Sequence, residues 1–303
     1  MRLFMKLSGG LFLSLFLMVF AGVARAEDPG AVTLLQPVGA RSYGMAETGT
    51  ALKGEICALH YNPAGMINVQ ERQSAFSYQR GIADDNFGVA TYGLPLHDYV
   101  FGASLLYYDA GSIELTNRYG ATRTVKAQQD YVLNLAACRK SFSWSFLGFV
   151  TYGVNLKLLH SKLVDEFSAT AVAADVGLIY SYEKLRRYTV GLAVQNIGTD
   201  LKYNARGDKL PLTTRVGYSY SFSKALANLE AVFVDKANSK LHAGIEYAFG
   251  DSLLLRGGYR FGYDLDSATF GLGFKHSALR IDYGMGMMGE LGQRHMVTIS
   301  LSH

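Results

Sequence analysis

Side chains suited to catalysis are scattered through this sequence without the spacing that an active site requires. The candidates are Asp84 with Asp85, His160 with Ser161, and His295. A hydrolytic site needs a histidine that converges with a carboxylate or a hydroxyl group, and none of these groups has a recognisable spacing. The 7 histidines form no HxxxH motif and the 2 cysteines form no CxxC motif. We therefore predict no catalytic residue, no metal site and no cofactor, and expect a protein that is not an enzyme.

A second group of charged residues alternates with apolar residues in the C-terminal part of the chain. In the segment 239–249, Leu241, Ala243 and Ile245 share one face, and Glu246 lies on the other. A period of two is typical of a β-strand with one apolar and one polar face. The polar faces of such segments carry Arg215, Glu246, Arg256, Arg260, Lys275, Arg280 and Asp282. These side chains could line a polar path or contact a plug; the alternative is that they form salt bridges that make the structure rigid.

The elements that position these residues are short alternating segments, which repeat from Gln73 to the C-terminus. Such repetition is typical of a transmembrane antiparallel β-barrel, in which one face of each strand meets lipid and the other lines the lumen. We predict an all-β fold of fourteen strands; twelve or sixteen strands are alternatives, as is a soluble β-sandwich. The predicted strands are 73–80, 86–94, 99–108, 129–139, 146–160, 171–183, 187–196, 211–222, 226–235, 239–249, 252–261, 267–276, 278–286 and 293–302.

The connections between these segments support a membrane barrel because long and short ones alternate. Outer-membrane barrels have long extracellular loops and tight periplasmic turns. This rule predicts that the N- and C-termini are both periplasmic. The long connections include 109–128, 161–170, 197–210, 262–266 and 287–292, and the short ones are 95–98, 140–145, 184–186, 223–225, 250–251 and 277.

The N-terminus has the features of an export signal. Arg2 and Lys6 precede an apolar stretch from Leu11 to Ala24, and Ala24-Arg25-Ala26 is a small-x-small cleavage site. The sequence predicts a signal peptide at residues 1–26. An N-terminal membrane helix is the alternative, although a spanning helix needs about 20 apolar residues. Export and the barrel pattern together predict the outer membrane of a Gram-negative bacterium, with outer-membrane lipid around the strands.

The charge balance gives no reason to predict a nucleic-acid partner. The chain has 29 basic and 25 acidic residues, for a formal net charge of +4. Three of the basic residues, Arg2, Lys6 and Arg25, lie in the predicted signal peptide. The mature chain is therefore almost neutral, and it needs neither nucleic acid nor an acidic partner.

Residues 27–70 interrupt the alternation and contain two clusters of small and polar residues. The first includes Arg41, Ser42, Gly44 and Met45, and the second is Asn62-Pro63-Ala64-Gly65. Asn-Pro followed by Ala-Gly is a strong turn signal, and small residues would allow the segment to pack inside a barrel. We predict a hatch or plug at 27–70 before a barrel at 71–303. The alternative is a periplasmic extension without a gating role.

The chain resembles the PorV/PorQ group, which belongs with the FadL/TodX-type outer-membrane transporters of hydrophobic compounds. The resemblance rests on Gly39-Ala40-Arg41-Ser42 with Gly44-Met45, on Tyr61-Asn62-Pro63-Ala64-Gly65, and on later segments such as His242-Ala243-Gly244-Ile245-Glu246-Tyr247. It covers nearly the whole mature chain. The resemblance implies a fourteen-stranded barrel with an N-terminal hatch.

Two functions follow from this resemblance. The first is the passage of a hydrophobic small molecule through the lumen when the hatch shifts, with sideways exit into the membrane as one route. The second is a docking or shuttle role in a secretion or surface-attachment system, with a secretion-system protein as partner. The connection 109–128 is mostly polar, for example at Glu114, Asn117 and Arg118, which slightly favours a partner-facing surface or a diffusive pore. The family resemblance still places transport first.

The two cysteines predict a link between the hatch and the wall. Cys57 lies in the predicted hatch, and Cys138 faces the lumen by strand parity. The periplasm is oxidising, so we predict a disulfide between them. It would contribute about 4 kcal/mol in the chain-entropy model. The alternative is two unrelated buried thiols.

Overall fold

The computed structural model describes residues 30–81, 85–144, 148–181, 187–204, 207–263 and 268–303, and for residues 140–144 and Leu291 it describes the backbone. The predicted signal peptide at 1–26 lies outside the described residues, as does Asp84. No helix among the described residues is both long and apolar enough to cross a bilayer.

Fourteen antiparallel strands form a closed barrel, in which the first strand pairs with the last. The predicted strand number is confirmed, and the alternatives of twelve strands, sixteen strands and a β-sandwich are wrong. The barrel strands are β1 (Gln73–Arg80), β2 (Asn86–Leu96), β3 (Tyr99–Asp109), β6 (Gln128–Trp144), β7 (Gly148–Leu163), β8 (Phe167–Ser181), β9 (Tyr188–Gly198), β12 (Thr213–Phe222), β13 (Ala225–Val234), β14 (Lys240–Phe249), β15 (Leu253–Phe261), β16 (Ala268–His276), β17 (Leu279–Met287) and β18 (Gln293–Ser302).

Two long connections contain small hairpins of their own. Strands β4 (Ser112–Thr116) and β5 (Thr122–Lys126) pair in the first, and β10 (Leu201–Lys202) and β11 (Gly207–Asp208) pair in the second. The predicted connection 161–170 is instead a tight turn, because β7 and β8 pair as far as Leu163 and Phe167. We call the barrel end with the hairpins the loop end and the opposite end the turn end.

The alternation of the sequence places apolar side chains on the outer wall of the barrel. Phe76, Leu105, Leu156 and Ile245 are all exposed there, as the lipid-facing wall of a membrane barrel requires. The intervening residues point into the lumen and are mostly buried. Something must therefore fill the lumen, since a barrel of fourteen strands is too wide for its own side chains to close.

Residues 30–70, which we call the lumen segment, lie inside the barrel and fill this space. The segment contains a short helix, α1 (Ala40–Gly44), and 3-10 helices at Val32–Leu35, Ile56–His60 and Pro63–Met66. Helix α1 packs against β16, β17 and β18, and the last 3-10 helix packs against β6, β7 and β8. The side chains of Ala40, Tyr43, Met45 and Met66 are completely buried.

Glycine pairs on the strands bring the wall close to the lumen segment. A Cβ atom at Gly191 would lie 2.1 Å from the carbonyl oxygen of Thr50, and one at Gly153 would lie 2.4 Å from the amide nitrogen of Ala64. No real side chain tolerates such contacts, so these positions require glycine. We call the five cross-strand pairs the glycine seat: Gly93 with Gly102, Gly153 with Gly177, Gly191 with Gly217, Gly244 with Gly258, and Gly271 with Gly284.

Candidate functional site

The lumen segment runs through the barrel from the loop end to the turn end. At the loop end, the Thr33 hydroxyl donates to Asp130 near the start of β6, and Gly30 lies against Asp208. At the turn end, Arg72 accepts a hydrogen bond from the backbone of His303 at 2.9 Å. The first described residue and the C-terminus therefore lie at opposite ends of the barrel. This placement does not agree with the prediction that both termini are periplasmic, which requires both to lie at the same end of the barrel.

Backbone amides of the lumen segment donate hydrogen bonds to side chains of the wall. The Ala40 amide donates to Thr298 Oγ1 at 2.8 Å, and the Ala46 amide donates to Thr269 Oγ1 at 2.9 Å. Thr50 donates twice to Glu230, from its amide at 2.9 Å and from its hydroxyl at 2.8 Å. Buried amides need such partners, so strand positions that face the lumen are matched to an irregular backbone.

Arg41 joins the lumen segment to a charged network on the wall. Its Nε and one terminal nitrogen donate to the two carboxylate oxygens of Glu246, at 2.9 and 2.7 Å. A third nitrogen donates to Glu55 at 3.1 Å. This bidentate pairing fixes the position of Arg41.

The remaining predicted lumen charges extend this network along the wall. Arg256 Nε donates to Glu246 at 2.7 Å, and another Arg256 nitrogen lies 2.8 Å from Asp282. Arg280 Nε donates to the same Asp282 at 2.7 Å. The predicted residues Glu246, Arg256, Arg280 and Asp282 therefore form one cluster with Arg41. Lys275 lies apart from it, exposed beside the cavity at the turn end.

Glu47 anchors the lumen segment a second time, nearer the loop end. It forms an ion pair with Arg260, whose guanidinium carbon lies 5.5 Å from the centre of the Tyr43 ring. Arg215 also pairs with Glu230 at 2.6 Å. Strand parity indicates Glu230 as well, but the sequence analysis did not select it or Glu47.

The Asn62-Pro63-Ala64-Gly65 turn connects different parts of the lumen segment to the wall. Asn62 Oδ1 accepts from the Ala64 amide at 3.0 Å and so caps the 3-10 helix at Pro63–Met66. Its Nδ2 donates to the carbonyl oxygens of Thr50 and Leu178, at 2.9 and 3.0 Å. Gly65 packs against Leu52, where a Cβ atom would lie 2.7 Å from the carbonyl oxygen. The turn signal therefore marks a junction between the segment and β8.

Three other predicted residues of the segment are buried around helix α1. Gly44 lies against Gly271 in the glycine seat, and Ser42 accepts backbone hydrogen bonds from Met45 and Glu47. The Met45 sulfur accepts a hydrogen bond from Asn228 at 3.5 Å. These contacts position the segment, and none of them presents a reactive group to the lumen.

Apolar side chains cover the opposite part of the lumen wall at the loop end. We call this group the loop-end apolar cluster; it contains Ala31, Val38, Phe87, Val89, Leu106, Val132, Leu159, Ala169, Ala171, Ala173, Leu201 and Leu210. Most of its wall residues lie on the neighbouring strands β2, β3, β6, β7 and β8. Ala31 and Val38 come from the lumen segment, which thus packs against the inner face of these strands. The apolar cluster therefore lies at the loop end of these strands, whereas the network around Arg41 lies on β14, β15 and β17.

A ladder of buried polar side chains on the same strands separates this cluster from the turn end. Asn155 donates to Asn134 at 3.2 Å and to Asp175 at 3.0 Å, and Lys157 pairs with Asp175 at 2.8 Å. The sequence analysis missed Lys157 and Asp175, although both occupy lumen-facing positions in alternating segments.

The predicted disulfide between Cys57 and Cys138 is not formed, and both cysteines are free and buried. They belong to one apolar cluster at the turn end. Cys57 lies near Ser77 of β1, whereas Cys138 is on β6, three strands away in the order β1, β2, β3, β6. Neighbouring strands are about 4.8 Å apart, so the two thiols lie too far apart to bond.

The remaining candidates for catalysis are not brought together. His160 bonds Thr170 on the outer wall, whereas Ser161 faces the lumen and donates to Asp130. His295 bonds Tyr283, also on the outer wall. Among the described residues, no group of three or more His, Cys, Asp or Glu is placed to hold a metal ion.

The fold is similar to that of FadL-type outer-membrane barrels. Solved structures with this fold include the Pseudomonas putida toluene transporter TodX (13% identity, 88% of this chain and 96% of that chain, TM-score 0.59). A Pseudomonas aeruginosa FadL homologue matches at 12% identity over 88% of this chain and 98% of that chain, with a TM-score of 0.60. The CymD monoaromatic hydrocarbon channel matches at 13% identity over 88% and 96%, with a TM-score of 0.59.

Within this class, the family model described as "Type IX secretion system protein PorV" matches residues 26–244. The chain therefore belongs to the PorV family, and the predicted resemblance is confirmed. It is a β-barrel of the Gram-negative outer membrane. A comparison with curated protein sequences gave no match.

Removing the Arg41 charge should loosen the lumen segment. Breaking a buried ion pair costs about 3–5 kcal/mol, because the remaining charges are left without a partner; Arg41 is slightly exposed, so we expect about 2–4 kcal/mol for Arg41→Met. Limited proteolysis within residues 40–66 should therefore become at least about thirtyfold faster. The matched control is Arg123→Met, which breaks an exposed pair with Glu166 and should change the rate little. Equal cleavage rates in both variants would contradict this role of Arg41.

Proposed function

We propose that this protein carries hydrophobic small molecules across the outer membrane through its lumen. The observation that supports this proposal best is the loop-end apolar cluster. The interior of a membrane barrel is normally polar, since water fills it. Here five neighbouring strands direct apolar side chains inward, including Phe87, Leu106 and Leu159. A concave apolar surface of this kind binds apolar ligands.

In this proposal the lumen segment is the gate. Ala31 and Val38 occupy the apolar cluster, so a hydrophobic ligand would compete with them for the same surface. Deeper in the barrel, the path is closed where the segment rests on the glycine seat. Passage requires this segment to shift, and its polar contacts at Arg41, Glu47 and Thr50 would set the free energy of that shift.

The structural relatives support the transport proposal through their shared fold. TodX is described as a toluene transporter, and CymD as a monoaromatic hydrocarbon channel. Sequence identities of 13% carry the architecture to this chain, and the apolar cluster supplies the chemistry. The proposal includes no catalytic step.

A disulfide that locks the lumen segment to the wall should stop passage. A Cβ atom at Gly217 would lie 3.3 Å from the Ala51 Cβ, close to the separation in a disulfide. Its nearest other atoms are 3.0 Å away, so this position, unlike Gly153 and Gly191, admits a side chain after a small shift. We therefore suggest Ala51→Cys with Gly217→Cys in a chain that also carries Cys57→Ala and Cys138→Ala. Proteoliposomes with the oxidised protein should take up labelled toluene no faster than empty liposomes, and reduction should restore uptake.

Two controls separate locking from damage to the barrel. The single variant Gly217→Cys should transport equally in oxidising and reducing conditions, because it cannot form the bond. A labelled hydrophilic sugar should enter slowly in every case. Uptake of toluene that is the same in the locked and reduced states would contradict passage through the gated lumen.

We propose a docking role in type IX secretion as the second candidate function. The family assignment and the β4–β5 hairpin at the loop end favour it. All five residues of β4 are exposed, and Ile113, Leu115 and Tyr119 present apolar surface on or near the tip. Hairpins with open edges can pair with an added strand.

Removal of the whole hairpin distinguishes the two functions. Deletion of residues 112–126, with a two-residue Asn-Gly turn between Gly111 and Ala127 in their place, removes β4 and β5 with Ile113, Leu115 and Tyr119, and it keeps the barrel strands. If docking is the function, surface delivery of secreted proteins should fall severalfold in cells while toluene uptake in proteoliposomes is unchanged. Normal delivery in cells that contain the shortened protein would contradict docking through this hairpin.

A further inference from the structure

A cavity lies between the lumen segment and the wall at the turn end of the barrel. Its volume is about 200 Å³, enough for a small ion with several waters at about 30 Å³ each. Arg41, Lys53 and Asn68 of the lumen segment form one side. Arg187 and hydroxyl residues of β9 and β12 form the other, namely Thr189, Ser219 and Ser221.

The charged side chains that line this cavity all have the same sign. Arg41, Lys53 and Arg187 are basic, and no acidic residue is among the described residues that line it. Arg41 is already paired with Glu246 and Glu55, and Lys53 donates to Ser181 at 2.7 Å. Within the described ranges, the Arg187 side chain has no carboxylate partner. Its guanidinium group therefore supplies positive charge that a ligand could neutralise.

A neighbouring cavity at the turn end differs, because acidic as well as basic residues line it. That cavity, of about 160 Å³, is also lined by Arg41, and it adds Lys275 and Arg280. Glu55 and Asp282 line it as well and offset two of these three positive charges. The two cavities are similar in size and share Arg41, so they differ mainly in the presence of carboxylates.

We propose that the cavity between Lys53 and Arg187 binds a small oxyanion of the phosphate class. Guanidinium and ammonium groups form short charge-assisted hydrogen bonds to such oxygens, and a guanidinium group can donate two in parallel. The hydroxyls of Thr189, Ser219 and Ser221 can each donate one more. The cavity combines these donors on two sides of a space that fits one such ion.

A bound oxyanion would also act on the gate, a consequence that rests on the proposed function. Lys53 belongs to the lumen segment, and Arg187 belongs to the wall. An ion bound to both residues stabilises the conformation in which the segment rests against the wall. The stabilisation grows with the concentration of the ion. Phosphate should thus slow the shift of the segment and reduce transport.

Inorganic phosphate is the probe for the test, with the purified full-length barrel in detergent at constant ionic strength. Isothermal titration calorimetry should show saturable binding of one phosphate per chain. Arg187→Gln should raise the dissociation constant for phosphate about tenfold or more, the loss of affinity expected for one charge-assisted interaction. Lys275→Gln, in the neighbouring cavity, should change this dissociation constant less than about twofold. Arg187→Lys, which keeps the charge, should fall between them.

The outcomes decide both the site and the origin of the ion. Absence of saturable binding to the wild type, or equal weakening by Arg187→Gln and Lys275→Gln, would overturn the proposal. Heat-modifiable electrophoretic mobility verifies that each variant is a folded barrel.

Repeating the titration in nanodiscs of phosphatidylglycerol and of phosphatidylcholine identifies the source of the bound phosphate. Competition by the anionic lipid assigns the site to a headgroup phosphate, and its absence assigns it to the free ion. Phosphate binding without any effect on toluene uptake would retain the site and contradict its link to the gate.

Discussion

Close contact between the wall and the lumen segment is the constraint on which the rest of the structure depends. Each glycine inside a strand costs about 0.5–1 kcal/mol relative to alanine, and this barrel places five cross-strand pairs of them around one segment. Their value becomes clear only with the segment in place, because side chains at these positions would occupy the space of its backbone or side-chain atoms. The glycines thereby allow an irregular chain of small residues to fill a lumen that fourteen strands leave open.

The polar contacts then decide how the segment is held in this seat. Arg41 and Glu47 connect it to opposite charges on β14 and β15, and Thr50 connects it to Glu230 on β13. These strands form one charged side of the lumen, whereas β2, β3, β6, β7 and β8 provide the apolar cluster at the loop end. The division has a functional consequence: a hydrophobic molecule can contact one side while ion pairs retain the segment on the other. A few buried ion pairs are a suitable latch, since their strength depends on geometry and falls sharply when one partner moves.

The barrel could be predicted from sequence because strand parity is a local signal. Alternation identified the fourteen strands and the inward direction of Glu246, Arg256 and Asp282, and all three join one ion-pair network. The errors concern information that parity does not contain. The Cys57–Cys138 bond required the position of Cys57 around the barrel, and the location of the N-terminal end required the direction in which the segment crosses the lumen. Partners such as Glu47 with Arg260 are 213 residues apart. The glycine pairs were visible in the sequence, but their purpose depends on cross-strand register.

Hydrogen exchange of the lumen segment tests the central claim of this account, that residues 40–66 are a seated part of the folded barrel. Three proteins are compared in the same lipid: the wild type, Gly191→Ala, and Gly88→Ala, whose added methyl group would meet no atom within 4 Å. In the wild type and Gly88→Ala, the amides of Ala46 and Thr50 should be protected as strongly as those of the strands. Overpacking costs about 1–3 kcal/mol, so Gly191→Ala should speed their exchange by about five- to a hundredfold. Wild-type exchange as fast as that of the exposed β4–β5 hairpin, or equal exchange in the two variants, would contradict the account.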